Sequence, residues 1–195
     1  MKSKLMLFFI IALYASCSSD YSPKPQGYFY IELPEPVYHD FAGYPFFKFS
    51  ISNQVLVKEM KDVPVGMKEK NGIGFNLVYP RFNAQIYCSY FRINKADFSV
   101  FSEESRKMVY VREKKAKGVK EIAYSHPEQK VYGLVYEVQG YAVSPVQFVI
   151  SDSISSFLRG ALYFDTSYNQ DSIAPVLDYI NKDIQVMIES FRWKQ

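Results

Sequence analysis

The chain is 195 residues long, with 23 Lys and Arg against 20 Asp and Glu, 17 Tyr, 16 Phe and two Cys. Lys2 and Lys4 fall in the first 16 residues, which hold no acid, so the remainder carries 21 basic and 20 acidic side chains, a net charge of +1. That balance is unsuited to nucleic acid, which is held through many phosphate contacts, and two cysteines cannot build a disulfide framework or a multi-cysteine metal site.

The first element is apolar. "LMLFFIIAL", Leu5 to Leu13, follows Lys2 and Lys4, and the small residues Ala15 and Ser16 precede Cys17. This is the order of a secretory signal, and the run falls short of the ~20 apolar residues of a membrane-spanning helix. A small pair before cysteine looks like a bacterial lipobox, with Tyr14 at the usually aliphatic position. The reading is a signal peptide over 1–16, with Cys17 as the first mature residue and the lipidation site. Several acyl chains of the palmitate kind hold a protein stably where one does not. The alternatives are a plain signal peptide that leaves Cys17 a free thiol, and a buried N-terminal element. "SSDYSPKPQ", Ser18 to Gln26, is polar and carries Pro23 and Pro25. It suits an extended tether over 17–26, spanning roughly 25 Å at ~3.1 Å per residue. Ser18 after the cysteine favours the outer membrane over the inner one, with the domain facing the periplasm.

Residues 27–195 are expected to form one α+β domain. "GYFYIEL" reads as a strand ending at Pro34. In "FFKFSIS", Phe47, Phe49 and Ile51 alternate with Lys48, Ser50 and Ser52, which predicts a strand with one buried face. Asn53-Gln54 turns the chain into "VLVKEM". "IGFNLVYP" puts Ile73, Phe75, Leu77 and Tyr79 on one face, and "AQIYCSYF" follows closely enough to form a hairpin. Cys88, within that strand, reads as a small buried hydrophobe.

Asn94 to Gly118 changes character. Acids come early (Asp97, Glu103, Glu104) and bases late (Arg112, Lys114, Lys115, Lys117), as a helix dipole prefers. Phe98, Phe101, Met108 and Val109 can share an apolar face, and Gly118 suits the stop. The late bases read as a solvated helix end, with docking to acidic partners or headgroups as the alternative. Strands then resume: "EIAYSH", a "PEQ" turn, "VYGLVYEV", a turn at Gln139-Gly140, "PVQFVIS", a turn near Asp152-Ser153 and "FLRGALYF". Short consecutive strands favour an antiparallel meander. Ser172 and Pro175 predict the start of a last helix, whose stripe of Ile173, Val176, Leu177, Ile180, Ile184, Ile188 and Phe191 needs the sheet to cover it. Two long helices and one antiparallel sheet make an α+β sandwich.

No nucleophile elbow, P-loop or zinc-helix motif is present. His39 and His126 are isolated, and Asp152, Asp165 and Asp171 read as turn-shaping carboxylates without a calcium-loop pattern. No catalytic residue, metal ligand or cofactor is assigned. Arg159 stands out. It interrupts the apolar "SFLRGALYF", and the following Gly160 suggests a bulge or a close backbone approach. A charge there needs solvent, a buried carboxylate or a partner. Arg159, with Tyr163 near it, is the candidate partner-binding pair.

The strings "VYGL", "QF…SDS", "FLRGALYF", "DSIAPV" and "ESFRWK", with "YSPKPQGYFYIELPE" at the start of the mature region, resemble the gliding motility lipoprotein GldD family of Bacteroidota. The resemblance implies a non-enzymatic envelope lipoprotein required for gliding and linked to the type IX secretion machinery. Its partners would be the envelope proteins of that apparatus and the membrane, reached through the lipid on Cys17. The order of strands and helices is also similar to the Mog1/PsbP-like α+β fold. Besides this reading stand a lipid-anchored small-ligand or glycan-binding module and a hydrolase whose nucleophile and base meet only in the fold.

Overall fold

The computed structural model describes residues 31–60, 72–112, 116–140, 142–165 and 170–194. Cys17, the signal region and the tether lie outside the described residues, as does the start of the expected "GYFYIEL" strand. Its remainder, Ile31 to Leu33, is not a strand: Ile31 and Leu33 lie against the core as irregular chain.

Among the described residues there are ten strands and two long helices. Strands β1 (Tyr38–Phe41), β2 (Phe47–Ser52), β3 (Leu56–Glu59), β4 (Ile73–Tyr79) and β5 (Ala84–Arg92) precede helix α1 (Phe98–Arg112). Then come β6 (Ala116–His126), β7 (Val131–Gly140), β8 (Val146–Ser151), β9 (Ser156–Phe164), helix α2 (Gln170–Ser190) and β10 (Arg192–Trp193). One sheet has seven strands in the order β3-β4-β5-β9-β8-β7-β6, and a second has three, β1-β2-β10. Each strand pair is antiparallel.

The expected hairpin and meander are both present. Strand β4 turns into β5 through a 3-10 turn at Pro80–Phe82, where Asn83 takes a left-handed conformation, φ 47°. Lys130 does the same after Pro127–Gln129. The meander β6-β7-β8-β9 joins the hairpin where β9 pairs with β5.

One face of the large sheet, here called inner, carries Phe75, Leu77, Ile86, Cys88, Phe148, Ile150, Leu158 and Leu162. Strand β2 and helix α2 close over it, bringing Phe47, Phe49, Ile180, Ile184, Ile188 and Phe191 into the same core. The rings pack directly: Phe47 lies 5.8 Å from Phe75 and 5.6 Å from Phe191 between centroids. Each such pair adds ~0.5–1.5 kcal/mol beyond area burial. Cys88 is fully buried here, and that burial pushes its thiol pKa up. The stripe on α2 is therefore a core stripe, but it also includes Tyr179, Asp183 and Met187.

Helix α1 lies on the opposite, outer face. Phe101 meets Val149 and Phe157, while Val109 meets Tyr136, Val138 and Ala142. With α1 on one side and the main core on the other, every residue of β8 is buried, which is why "VQFVIS" is apolar apart from Gln147 and Ser151.

Several sequence-based boundaries shift. Helix α1 does not reach Gly118: Lys117 and Gly118 belong to β6, and the pairing with β7 slips between Ala116 and Gly118. A glycine before a polar stretch serves a bulge as well as a helix stop. Met108 is not wholly on the packed face; it is 38% exposed. Helix α2 begins at Gln170, so Ser172 is inside it and Pro175 sits a turn later than expected. Gly160 marks a close approach, with its register to β8 and β5 unbroken. Strands β1 and β10 have no signal of their own in the sequence.

Candidate functional site

Helix α1 covers only part of the outer face. The part left beside it forms an open cleft of about 530 Å³, lined by Tyr87 and Ser89 of β5, Arg159, Ala161 and Tyr163 of β9, and Phe164 and Asp165 at the strand end. The floor follows from pleating. Strand β9 is the middle strand of seven, and its pairing sets Arg159 beside Ser89, Ala161 beside Tyr87 and Tyr163 beside Gln85. Alternate residues point to one side of a sheet, so Arg159 and Tyr163 share this face, roughly 13 Å apart along the strand. Tyr163 meets Tyr87 diagonally, with ring centroids 5.4 Å apart and planes at 80°.

Arg159 is held, not loose. Its Nη2 donates to Gln147 Oε1 at 2.9 Å, and its Nη1 lies against the Met108 sulfur on α1. Gln147 is 2% exposed. Its amide oxygen fixes the orientation of the guanidinium. At the far end, Gln85 Nε2 donates to Asp165 Oδ1 at 3.0 Å, and the Asp165 amide is held by the Asn83 carbonyl at 2.8 Å. The two candidates read from the sequence therefore line one cleft. Tyr87 lines it too, while Gln147 and Met108 hold Arg159; none of the three had a comparable signal, Tyr87 being one aromatic among many and Gln147 a polar residue in an apolar strand.

A second polar group is buried on the inner side. Asp183 of α2 is 5% exposed and accepts a 2.7 Å hydrogen bond from the Tyr38 hydroxyl of β1. Tyr79 lies beside it and Tyr179 is nearby. The Oδ2 of Asp183 is buried without a hydrogen-bond partner in the described structure. Burial raises the Asp183 pKa, and the hydroxyls of Tyr38 and Tyr79 offset it only in part. Asp183 had no signal except its place inside an apolar stripe.

His39 lies on the exposed edge strand β1, and His126 ends β6, far apart in the pairing scheme. Among the described residues, no three His, Cys, Asp or Glu side chains are grouped to hold a metal ion. Asp152 shapes the β8–β9 turn: its Oδ1 accepts from the amides of Ile154, Ser155 and Ser156 at 2.7–2.9 Å, and its Oδ2 from the Ser155 hydroxyl.

Fold and cleft define an α+β protein whose most built surface feature is an aromatic cleft on the open face of a sheet. The family model described as gliding motility lipoprotein GldD matches residues 18–193, and the chain belongs to that family. A comparison with curated proteins finds no match. Membership in a lipoprotein family associates the protein with the cell envelope and supports a role in gliding motility. No helix among the described residues is long and apolar enough to cross a membrane.

Proposed function

We propose that the protein is a non-enzymatic envelope component that works by binding other proteins of the gliding apparatus and of the type IX secretion machinery, with the cleft beside α1 as the binding surface. The observation that carries this reading is the convergence of Arg159, Tyr163 and Tyr87 on one open cleft, with Met108 of α1 against Arg159. Arg, Tyr and Met are the residue types enriched at protein interfaces. Strands β5 and β9 hold the arginine and the two tyrosines, so little ordering is needed on binding. The lipid on Cys17 supplies position at the periplasmic side of the outer membrane, and the tether over 17–26 leaves the domain free to reach a partner.

The test is Arg159→Ala in the source cell. Gliding should be lost while the protein stays folded and at its normal envelope level. A collapse in level instead makes Arg159 a structural residue. Normal gliding at normal levels removes the cleft from the function. Independently, Cys17→Ala should abolish acyl labelling and release the protein from the membrane; labelling that persists rejects Cys17 as the anchor.

The second reading, a small-ligand or glycan module, has one observation in its favour: a volume of about 530 Å³ is in the usual range for a ligand site. Saturable binding of a defined envelope oligosaccharide to the full-length protein, lost on Tyr87→Ala, would establish it.

A further inference from the structure

We infer that helix α1 is a surface on which two copies of this chain pair, antiparallel about a two-fold axis, with Glu104 of each copy on Lys107 of the other and Val100 on Val111. The pairing rests on the lipid anchor for bringing the copies together, and not on the cleft.

Exposure is the first argument. Phe101, Ser105 and Val109 form the buried side of α1. The other side is not simply polar: Val100 is 51% exposed and Val111 61%, and Met108 and Tyr110 are exposed as well. A helix with apolar side chains on both sides is one that is covered on both, and the sheet covers only one. A scattered surface valine needs no explanation, but these two stand in line with Glu104 and Lys107, at steps of four, three and four residues. That is the spacing of a coiled-coil seam. At 3.6 residues per turn the four side chains fall within about 60° of one another around the helix.

Self-complementarity is the second argument. A two-fold interface uses the same patch on both copies, so every contact occurs twice. With the axis between Ser105 and Arg106, Val100 meets Val111 and Glu104 meets Lys107. A parallel pairing would set Glu104 against Glu104 and Lys107 against Lys107 instead. Among the described residues neither Glu104 nor Lys107 is in an ion pair, whereas Arg106 beside them is held 3.8 Å from Glu121 of β6. The 15 residues of α1 make a strip about 22 Å long, and two such strips bury less than the ~1,200 Å² of a standard stable interface. The pairing is therefore weak in free solution, and it forms where the lipid on Cys17 confines two copies to one membrane at high effective concentration.

The experiment co-expresses two differently tagged full-length copies, one with Val100→Cys and one with Val111→Cys, oxidises the isolated membranes mildly and reads the mixed disulfide on a non-reducing gel. Cys88 is buried and stays out of the reaction. The expected product joins the two tags. Two copies that both carry Val100→Cys should give none, because eleven residues separate that pair from register, roughly 16 Å along the axis. Glu104→Lys in both copies should lower the mixed yield by about tenfold, since like charges then face each other twice. Adding Lys107→Glu to the same chains should restore it. Envelope level and circular dichroism of each variant separate lost pairing from lost folding. No mixed disulfide in folded protein, an equal yield from Val100→Cys with itself, an adduct to a different protein in its place, or a charge swap that fails to restore the yield would each overturn the inference. A mixed disulfide that survives Cys17→Ala would keep the pairing and remove the lipid from it.

Discussion

Gly160 and Phe148 stand opposite each other on β9 and β8, and a Cβ on the glycine would lie 2.1 Å from the ring's Cζ. The ring occupies the space that a side chain at 160 would take. Gly160→Ala should therefore destabilise the protein, by roughly 1–3 kcal/mol as overpacking does. The urea midpoint should fall, and adding Phe148→Leu should recover part of the loss. A single variant with an unchanged midpoint would show that the sheet yields at this point.

Arg159 gives a different signature. Removing it takes the Nη2 donor from a buried glutamine oxygen, which costs roughly 1–2 kcal/mol. Arg159→Ala should lower the unfolding free energy by at least about that amount, and the urea midpoint with it. Combined with Gln147→Leu, the two losses should be less than additive, because the second change removes the acceptor left unsatisfied by the first. Strict additivity in a double-mutant cycle would mean that the 2.9 Å contact contributes nothing.

Asp183 and Asp152 should titrate with opposite effects on stability. The folded pKa of Asp183 is raised, because burial outweighs the tyrosine hydroxyls. Its contribution is present below the ordinary carboxylate range and is lost as pH rises through the folded pKa. Asp183→Asn should match the parent in acid and melt above it at neutral pH, by a few degrees if ~1 kcal/mol is regained. A parent that is more stable than the variant at neutral pH contradicts this.

Asp152 is the reverse case. Burial pushes its pKa up, but hydrogen bonds from the Ser155 hydroxyl and the amides of Ser155, Ile154 and Ser156 more than offset that, and the net shift is downward. Its contribution is present above the ordinary carboxylate range and is lost as pH falls through the folded pKa. Asp152→Asn should be less stable than the parent at neutral pH, with a gap that closes in acid. Hydrogen exchange at Ile154, Ser155 and Ser156 should speed up locally. Equal exchange in both proteins would mean that the turn holds without the carboxylate.

Where one face of an element is buried and the other wet, its pattern was legible. Strand β4 alternates because its inner residues Phe75, Leu77 and Tyr79 are covered. Helix α2 shows its stripe for the same reason. Strand β10 is two residues long and β1 reads half-buried, exposed, exposed, half-buried, so neither has a period to detect. Arg159 was visible as a lone charge in an apolar strand. The cleft was not, because it depends on how far α1 extends across the sheet, and that is a property of tertiary packing. Tyr87 and Gln147 acquire their roles from the β5–β9 and β8–β9 registers, which join segments that the sequence alone leaves unmatched.

The pairing of β2 with β10 has a consequence for assembly. Phe47 aligns with Trp193 and Lys48 with Arg192, so the second strand of the small sheet gains this neighbour from residues near the other end of the chain. A chain delivered N-terminus first, from a ribosome or through a translocation channel, presents Phe47 and Phe49 to solvent long before Phe191 arrives to stack on both. Contacts of such wide sequence separation form late, and exposed apolar surface invites misassociation in the interval. During biogenesis this small sheet is where a holding chaperone would have the most to protect, and where refolding from denaturant should show its slowest burial of tryptophan.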